Sequence, residues 1–115
     1  MRRGEIRMVD LDPVRGAEAD QQWPAVIVSN DGANSSAQRL SRGVITVVPV
    51  TSNIERIYPF QVLLSAATTG LAVDSKAQAE QVRSIAVERV GGRVGVLTAE
   101  VQADLDEALR LHLAL

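Results

Sequence analysis

Residues 43–50 read Gly-Val-Ile-Thr-Val-Val-Pro-Val, and no other stretch of the chain is as rich in β-branched residues. Such side chains pack well on a pleated surface, so this stretch predicts a central strand. Pro49 has no N–H to give to a strand ladder, and it therefore predicts the end of the strand or a bulge. The segments on either side are assigned around this strand.

Five other segments are typical of short strands, because they are rich in extended-chain formers or alternate between polar and apolar side chains. They are residues 4–11, 24–29, 58–64, 75–85 and 93–97. Their non-helical connections predict antiparallel pairing between consecutive strands. The sequence therefore predicts five or six short strands in one small sheet.

Polar segments separate these strands. Residues 12–22 contain Pro, Gly and six polar side chains without periodicity, which predicts a long loop of the kind that is usually functional. Residues 30–42 predict a second loop with room for one helical turn. Residues 66–74 predict a turn region, and residues 87–90 predict a single helical turn that the following glycine pair ends.

A helix is predicted at the C-terminal end of the chain. Thr98 stands in the N-cap position, and apolar residues three and four apart continue to about Leu113. Acidic residues lie in its first turns and Arg110 in its last, which complements the helix dipole. The expected fold is mainly β (α+β): a curled antiparallel sheet or partly open barrel with this helix covering an end.

Composition excludes several classes of protein. The chain has 115 residues, 46% of them apolar and 23% charged, which predicts one globular domain over residues 1–115 and excludes disorder as the main state. No apolar run approaches the ~18 residues of a transmembrane helix, and no signal peptide is visible, so we expect a cytoplasmic protein. Without cysteine, disulfides and thiolate metal sites are excluded. With one histidine, a His-pair ribonuclease mechanism within one subunit is excluded too.

The charge is unevenly distributed. The net charge is −2, but residues 1–97 hold eleven basic and ten acidic side chains, whereas residues 98–115 hold one basic and four acidic ones. A general nucleic-acid coat protein would be basic, so the bulk charge argues against one. Eleven of the twelve basic residues are Arg, a residue type suited to bidentate phosphate contacts. A GC-rich genome would give the same bias without a functional meaning.

Two candidate sites border the predicted central strand. The loop before Trp23-Pro24 is interpreted either as a lid over a groove or as a solvated connection. As a lid it would line the groove with Arg15, Gly16, Glu18, Gln21 and Gln22. The second candidate is residues 49–53, where the hydroxyls of Thr51 and Ser52 and the amide of Asn53 lie at the end of the central strand. Side chains at a strand end are held rigidly, although Ser, Thr and Asn also favour plain turns.

A third candidate site lies in residues 78–83, Gln-Ala-Glu-Gln-Val-Arg. Strand alternation would put Glu80 on one face and Gln81 with Arg83 on the other. Gln can read base edges and Arg can hold a phosphate, but an exposed polar strand edge has the same pattern. His112 lies on the apolar stripe of the predicted helix and is interpreted as a packed or interface residue. No metal-ligand spacing, phosphate loop or nucleophile elbow is present.

The order of these segments closely resembles the MazF/PemK family of toxin endoribonucleases, over almost the whole chain. No single matching piece is diagnostic, but the ordered set is specific. The matching segments are Arg3–Ile6, Val9–Pro13, Arg15-Gly16 with Glu18, Pro24–Asp31, Val48–Ser52, Tyr58–Val62 and Gln81–Ile85.

The resemblance implies an SH3-like (CcdB-like) barrel that forms a homodimer, with a groove for single-stranded RNA between the subunits. Members of the family cut mRNA at short sequences without a metal or other cofactor. They leave a 2′,3′-cyclic phosphate and a 5′-hydroxyl, and they arrest growth. A cognate antitoxin lays a generally acidic C-terminal tail into the same groove. We therefore expect no metal and no cofactor, and we expect Arg15, Gly16, Glu18, Gln21, Gln22, Ser52, Gln81 and Arg83 to contact RNA.

The resemblance also implies two main catalytic positions. One is a Thr or Ser at the end of the third strand, which here is Thr51. The other is an Arg just before the Pro of the second strand, and here that position holds Trp23. Trp has one neutral donor and no charge, so it cannot replace a guanidinium at a phosphate. Arg7 stands where the family usually has an aromatic residue, but the expected hairpin puts residue 11, not Arg7, near Trp23.

Three interpretations of Trp23 stay open. The Trp inactivates the enzyme, or it marks a natural, attenuated member that still binds antitoxin, or another cation supplies the charge. Candidates for that cation are Arg15, Arg83 and a groove residue of the second subunit. Two other functions stay open as well: a catalytically dead module that binds antitoxin, and a gyrase poison of the CcdB type.

Overall fold

β3 (Val44–Thr51) lies at the centre of the structure, a computed structural model that describes residues 1–11 and 22–115. The other strands in these ranges are β1 (Glu5–Val9), β2 (Trp23–Ile27), β4 (Gln61–Leu64), β5 (Ser75–Gln78), β6 (Arg83–Ala86) and β7 (Val90–Val96). The helices are α1 (Asp31–Leu40), α2 (Ala66–Thr69) and α3 (Ala99–Leu113), with 3-10 turns at Ala79–Gln81 and Val87–Arg89.

β3 pairs with three strands, and all pairings in the sheet are antiparallel. The order is β4-β5-β3-β2-β1-β7, and β6 pairs with the first half of β3. β6 covers Val44–Val47, whereas β5 pairs with Val50 and Thr51. Pro49 falls between these two stretches, so its missing N–H interrupts neither ladder. The central strand was predicted correctly, but the expected end or bulge at Pro49 was wrong, because β3 runs on to Thr51.

The predicted strand 75–85 is two strands. β5 and β6 are separated by the 3-10 turn Ala79–Gln81 and pair with different parts of β3. The alternation expected across residues 78–83 is therefore broken at this turn. Gly91 and Gly92 also differ from the prediction. They were expected to end a helical turn, but they lie inside β7. The turn region 66–74 contains the short helix α2.

Residues 31–40 form the ten-residue helix α1, where a loop with one helical turn was predicted. Asn30 caps it, since its Oδ1 accepts the N–H of Ala33 at 2.8 Å. The buried Asn34 anchors it, because its amide donates to the Ser29 carbonyl at 2.9 Å. Ser and Asn are weak helix formers, so these tertiary contacts outweigh the local preference that the sequence suggested.

Two apolar clusters lie on opposite faces of the sheet. One packs side chains of β1, β2 and β3 against Leu105 and Ala108 of α3. The other packs the alternate residues of the same strands against Ala37 of α1. Burial on both faces explains the nearly continuous apolar runs of β2 and β3.

The C-terminal helix agrees with the prediction. Thr98 caps it, accepting the N–H of Val101 at 3.2 Å, and the helix runs to Leu113. His112 is exposed, so within this chain it is not packed as predicted. The mainly antiparallel α+β fold with a C-terminal helix is confirmed. Among the described residues no helix is long and apolar enough to cross a membrane.

Arg3 ties the N-terminal end of the chain to α3. Its Nη2 lies 2.7 Å from Asp106 Oδ1, and its Nε donates to the Val28 carbonyl at 2.9 Å. Burial raises the pKa of Asp106, but the hydrogen bonds from Arg3 and Gln102 outweigh burial and hold that pKa below its usual value. A carboxyl whose pKa is lower in the folded state stabilises the fold above its unfolded pKa, and this contribution is lost as the pH falls.

We expect Asp106→Asn to lower the free energy of unfolding by about 1 kcal/mol at neutral pH, the worth of a partly exposed charged hydrogen bond. The difference from the unchanged protein should shrink as the pH falls through the folded pKa, because both side chains are then neutral. Urea unfolding between about pH 7 and pH 3 measures this. A difference that stays constant across that range would show that the charge of Asp106 contributes nothing.

Candidate active site

Strand register brings Trp23 and Thr51 together. β2 and β3 pair with Ala25 opposite Pro49, and the same register continued by two residues sets Trp23 opposite Thr51. Paired residues of an antiparallel ladder project from the same face. Arg83 pairs with Val47 on the other edge of β3 and so belongs to that face as well. Residues from three distant parts of the chain therefore meet at one end of the sheet.

Two adjacent cavities open at this end of the sheet. The first has a volume of about 590 Å³ and the second about 340 Å³. Trp23, Val50 and Thr51 line both of them. Trp23 and Thr51, the two positions that the sequence singled out for catalysis, thus form the boundary between the cavities.

The first cavity is mainly apolar. Its lining includes Met8, Pro24, Leu71, Val73 and Val94, with Ser52 among its polar residues. Trp23 keeps 47% of its surface exposed, so its ring is available to a bound molecule. Apart from Pro24, these apolar residues could not be predicted from the sequence, because they come from β1, β7 and the segment after α2. Only the strand register shows that these segments meet.

The second cavity carries the charge of the site. Gln78, Gln81 and Arg83 line it together with Leu11 and Pro49. The side chains of Gln81 and Arg83 are exposed, and none of the ion pairs between described residues involves Arg83. An exposed guanidinium in a cavity that also holds a hydroxyl is suited to an anion such as a phosphate.

The hydroxyl of Thr51 has a defined hydrogen-bond acceptor role. Its Oγ1 accepts the backbone N–H of Asn53 at 3.2 Å. A hydroxyl has one proton and two lone pairs, so this bond leaves the proton free to donate to a ligand. Because Thr51 is the last residue of β3 and pairs with Lys76 of β5, its backbone is held by the sheet.

Arg7 does not take the place of the missing arginine. The structure pairs Val9, not residue 11, with Trp23, so the predicted hairpin register was wrong by two residues. Arg7 lies two pairs further along, opposite Ala25, but its guanidinium bonds Glu5 Oε1 at 2.9 and 3.1 Å and the Gly91 carbonyl at 3.1 Å. Its charge is therefore paired with Glu5 of β1, and Arg7 lines neither cavity.

Glu5 holds Arg7 in this position. Burial raises the pKa of the Glu5 carboxyl, but hydrogen bonds from the Arg7 side chain and the Arg2 backbone, with the charge of Arg7, outweigh burial and lower the pKa. Arg93 Nη1 lies 3.8 Å from the other carboxylate oxygen. Glu5 is thus charged at neutral pH and fixes Arg7 away from the candidate site.

The structure brings together only part of the predicted site. Trp23, Thr51, Ser52, Gln81 and Arg83 line the two cavities. Gln22 lies beside Gly91 and lines neither of them. Glu80 turns away from Gln81 and accepts a hydrogen bond from Gln61 at 2.6 Å. The predicted groove residues Arg15, Gly16, Glu18 and Gln21 lie outside the described residues, as does most of the predicted loop 12–22.

Potential metal ligands are scattered. Within residues 1–11 and 22–115, no three His, Asp or Glu side chains are grouped closely enough to hold a metal ion. The described polar groups of the two cavities are hydroxyls, amides and one guanidinium. Such groups bind anions and hydrogen-bond to bases.

Comparison with known proteins identifies close relatives. The family described as "PemK-like, MazF-like toxin of type II toxin-antitoxin system" matches residues 2–113. The chain is 70% identical over 115 residues to Endoribonuclease MazF9 of Mycobacterium tuberculosis, covering all of this chain and 98% of that protein. It is 33% identical over 116 residues to Endoribonuclease EndoA of Bacillus subtilis, covering all of this chain and 96% of that protein.

Solved structures share the fold. The Mycobacterium tuberculosis toxin MazF-mt6 superposes with a TM-score of 0.76 at 23% identity, covering 96% of this chain and 97% of that one. A mycobacterial endoribonuclease solved in complex with its cognate antitoxin gives 0.76 at 21% identity, covering all of this chain and 96% of that one. At these identities the likeness supports the architecture alone.

We expect Glu5→Gln and Arg7→Met each to lower the free energy of unfolding, by about 1–3 kcal/mol, because each leaves a charged or polar partner unsatisfied. The double variant should lose less than the sum of the two, since the residues share one interaction. Urea unfolding of the four proteins in this cycle measures the coupling. Strict additivity would mean that Glu5 does not hold Arg7.

Proposed function

Because the chain belongs to the MazF/PemK family of endoribonuclease toxins from type II toxin–antitoxin systems, we propose that it is an attenuated, metal-independent endoribonuclease. Its substrate is single-stranded mRNA cut at a short specific sequence, with a 2′,3′-cyclic phosphate and a 5′-hydroxyl as products. The observation that carries this proposal is the meeting of Trp23 and Thr51 at the boundary of two cavities, the second of which also holds Arg83.

The cleavage requires three contributions. A group accepts the 2′-hydroxyl proton, a group donates a proton to the leaving 5′-oxygen, and donors stabilise the negative charge that develops on the phosphate oxygens. Thr51 Oγ1 accepts the Asn53 N–H through a lone pair, which leaves the hydroxyl proton unused. This proton forms a hydrogen bond to a phosphate oxygen. The Arg83 guanidinium in the second cavity supplies positive charge to the same phosphate.

Trp23 attenuates the reaction. It lies opposite Thr51, at the position where the family resemblance implies an arginine, and it has no charge to offer the phosphate. Losing one preorganised donor of this kind costs on the order of 10²–10³ in rate. The exposed Trp23 ring instead stacks on an RNA base, a contact that tolerates any base identity.

The remaining lining residues read and hold the RNA. Gln81 in the second cavity and Ser52 in the first contact bases or phosphates beside the cleavage point. Arg15, Gly16, Glu18, Gln21 and Gln22 stay predicted groove residues on the strength of the family resemblance. Single-stranded RNA with unstacked bases is the form of RNA that such side chains can read.

We also propose how the protein assembles and is controlled. It works in the cytoplasm as a homodimer, and a cognate antitoxin lays its acidic C-terminal tail into the RNA groove, where the positive charge of Arg83 attracts anions. One mycobacterial relative of the same fold was solved in complex with its cognate antitoxin, which supports the partner class. Release from the antitoxin leads to mRNA cleavage and growth arrest.

A second candidate function follows from the same tryptophan. A chain that keeps the groove but lacks the arginine before Pro24 binds antitoxin without cutting RNA, and so sequesters it. This alternative predicts antitoxin affinity with no cleavage by the unchanged protein. One measurement of RNA cleavage by the unchanged protein distinguishes this alternative from the attenuated enzyme.

We expect Trp23→Arg to raise kcat/KM for RNA cleavage by about 10²–10³, because a guanidinium then lies opposite Thr51. The measurement is cleavage of a long mixed-sequence RNA in EDTA, with 2′,3′-cyclic phosphate ends assayed on the products. Activity that is lost in EDTA would contradict the metal-independent mechanism.

Thr51→Val in the Trp23→Arg background is the matched control, since it removes the hydroxyl and keeps the shape. It should abolish the gained activity. If the unchanged protein cuts as fast as Trp23→Arg, then Trp23 does not attenuate it and another cation, with Arg83 first, carries the charge. If neither protein cuts RNA, the endoribonuclease proposal fails and antitoxin binding and gyrase poisoning become the functions to test.

A further inference from the structure

The loop between β3 and β4, residues 52–60, controls the surroundings of the Thr51 hydroxyl. Asn53 donates its backbone N–H to Thr51 Oγ1 at 3.2 Å, and Asn53 Oδ1 in turn accepts the N–H of Glu55 at 3.2 Å. The direction in which Thr51 presents its proton therefore depends on where the loop holds Asn53. The loop begins immediately after Thr51, so a shift of its first residues moves Asn53 relative to the sheet.

Lys76 holds the loop at Arg56, one residue beyond Glu55. Its Nζ donates to the carbonyl oxygen of Arg56 at 2.6 Å. Lys76 lies on β5 directly opposite Thr51. The residue that holds the loop and the residue whose hydroxyl the loop orients are therefore neighbours in the same ladder.

The burial of Lys76 is costly. It is the only lysine of the chain and keeps 7% of its surface exposed. In the part of the chain that the structure describes, no carboxylate forms an ion pair with it. A buried ammonium without a paired carboxylate destabilises a fold, whereas an apolar side chain would fill this strand position without that cost. The role of the charged Lys76 donor is therefore to hydrogen-bond the Arg56 carbonyl, and not to fill the core.

The far end of the loop is held independently. Tyr58 donates its N–H to Gln61 Oε1 at 3.1 Å, and the Arg56 side chain lies over the Tyr58 ring and reaches its hydroxyl at 3.2 Å. None of these contacts touches Thr51 or Asn53. Removal of the Lys76 ammonium would therefore free the first half of the loop and leave the second half in place.

We propose that Lys76 is a positioning residue for the proposed ribonuclease reaction. By holding the Arg56 carbonyl it keeps Asn53 at Thr51 Oγ1, so that the hydroxyl proton points to the phosphate in the groove. The inference rests on the proposed function, because it assumes that Thr51 acts on RNA. Lys76 itself contacts no RNA, and its effect is on the rate of the bound complex rather than on binding.

The test is Lys76→Met in the Trp23→Arg background, with Leu63→Ala as the matched control. Methionine keeps the length of the stem and removes the donor, whereas Leu63 pairs with Lys76 from β4 and is partly exposed. We expect Lys76→Met to lower kcat about tenfold and to leave KM within about twofold, because the orientation matters in the transition state. Leu63→Ala should change neither constant.

Amide hydrogen exchange supplies a readout that needs no RNA. In Lys76→Met the Asn53 and Glu55 amides should exchange at least about tenfold faster, while the Tyr58 amide keeps its rate. Lys76→Arg, which retains a charged donor, should restore part of the protection and part of kcat. It also serves as the working variant if the methionine protein does not fold.

A double-mutant cycle with Asn53→Pro, which removes the backbone N–H that Thr51 Oγ1 accepts, identifies the route. If Lys76 acts through Asn53, Lys76→Met should cause little further loss of kcat once Asn53 has been replaced. The inference is overturned if the two losses multiply, if KM alone changes, or if Asn53 exchange is unaltered. An inactive Trp23→Arg parent instead contradicts the proposed function, and the exchange measurement then still decides whether Lys76 holds Asn53.

Discussion

The antiparallel pairing of β3 is the constraint on which the rest of the structure depends. One edge of β3 receives β6 and then β5, and the other edge receives β2. Alternate residues of β3 face the α3 side and the α1 side, so both apolar clusters contain its valines. A register shift of one residue would turn Val47 and Val48 to the wrong faces and would separate Trp23 from Thr51.

The site is a consequence of this pairing. Thr51 ends β3, and Trp23 begins β2 opposite it. Arg83 begins β6 opposite Val47, four residues before Thr51 and on the same face. The ladder fixes the backbone of each, while the loop after Thr51 and the 3-10 turn before Arg83 leave their side chains open to a ligand. A rigid sheet with polar strand ends is the arrangement that holds reacting groups in place most accurately.

Much of the fold could be predicted from the sequence, because β-branched runs and the Thr98 cap are local signals. The helix α1 could not, since the buried Asn34 and its bonds to Ser29 stabilise it only in the folded chain. The division of residues 75–85 was hidden for a similar reason: both halves have strand composition, and only their different partners on β3 separate them. Thr51 and Trp23 were identifiable by family resemblance, whereas the burial of Lys76 and the pairing of Arg7 with Glu5 required coordinates.

RNA binding across the boundary formed by Trp23 and Thr51 is central to the proposed mechanism. The most direct measurement is an amide and indole NMR titration of the unchanged protein with a 2′-O-methyl RNA of mixed sequence, which binds without being cut. We expect the single Trp23 indole N–H and the amides of Thr51 and Arg83 to shift along one saturation curve. Shifts confined to α3, with the Trp23 indole unmoved at saturation, would contradict this mode of binding.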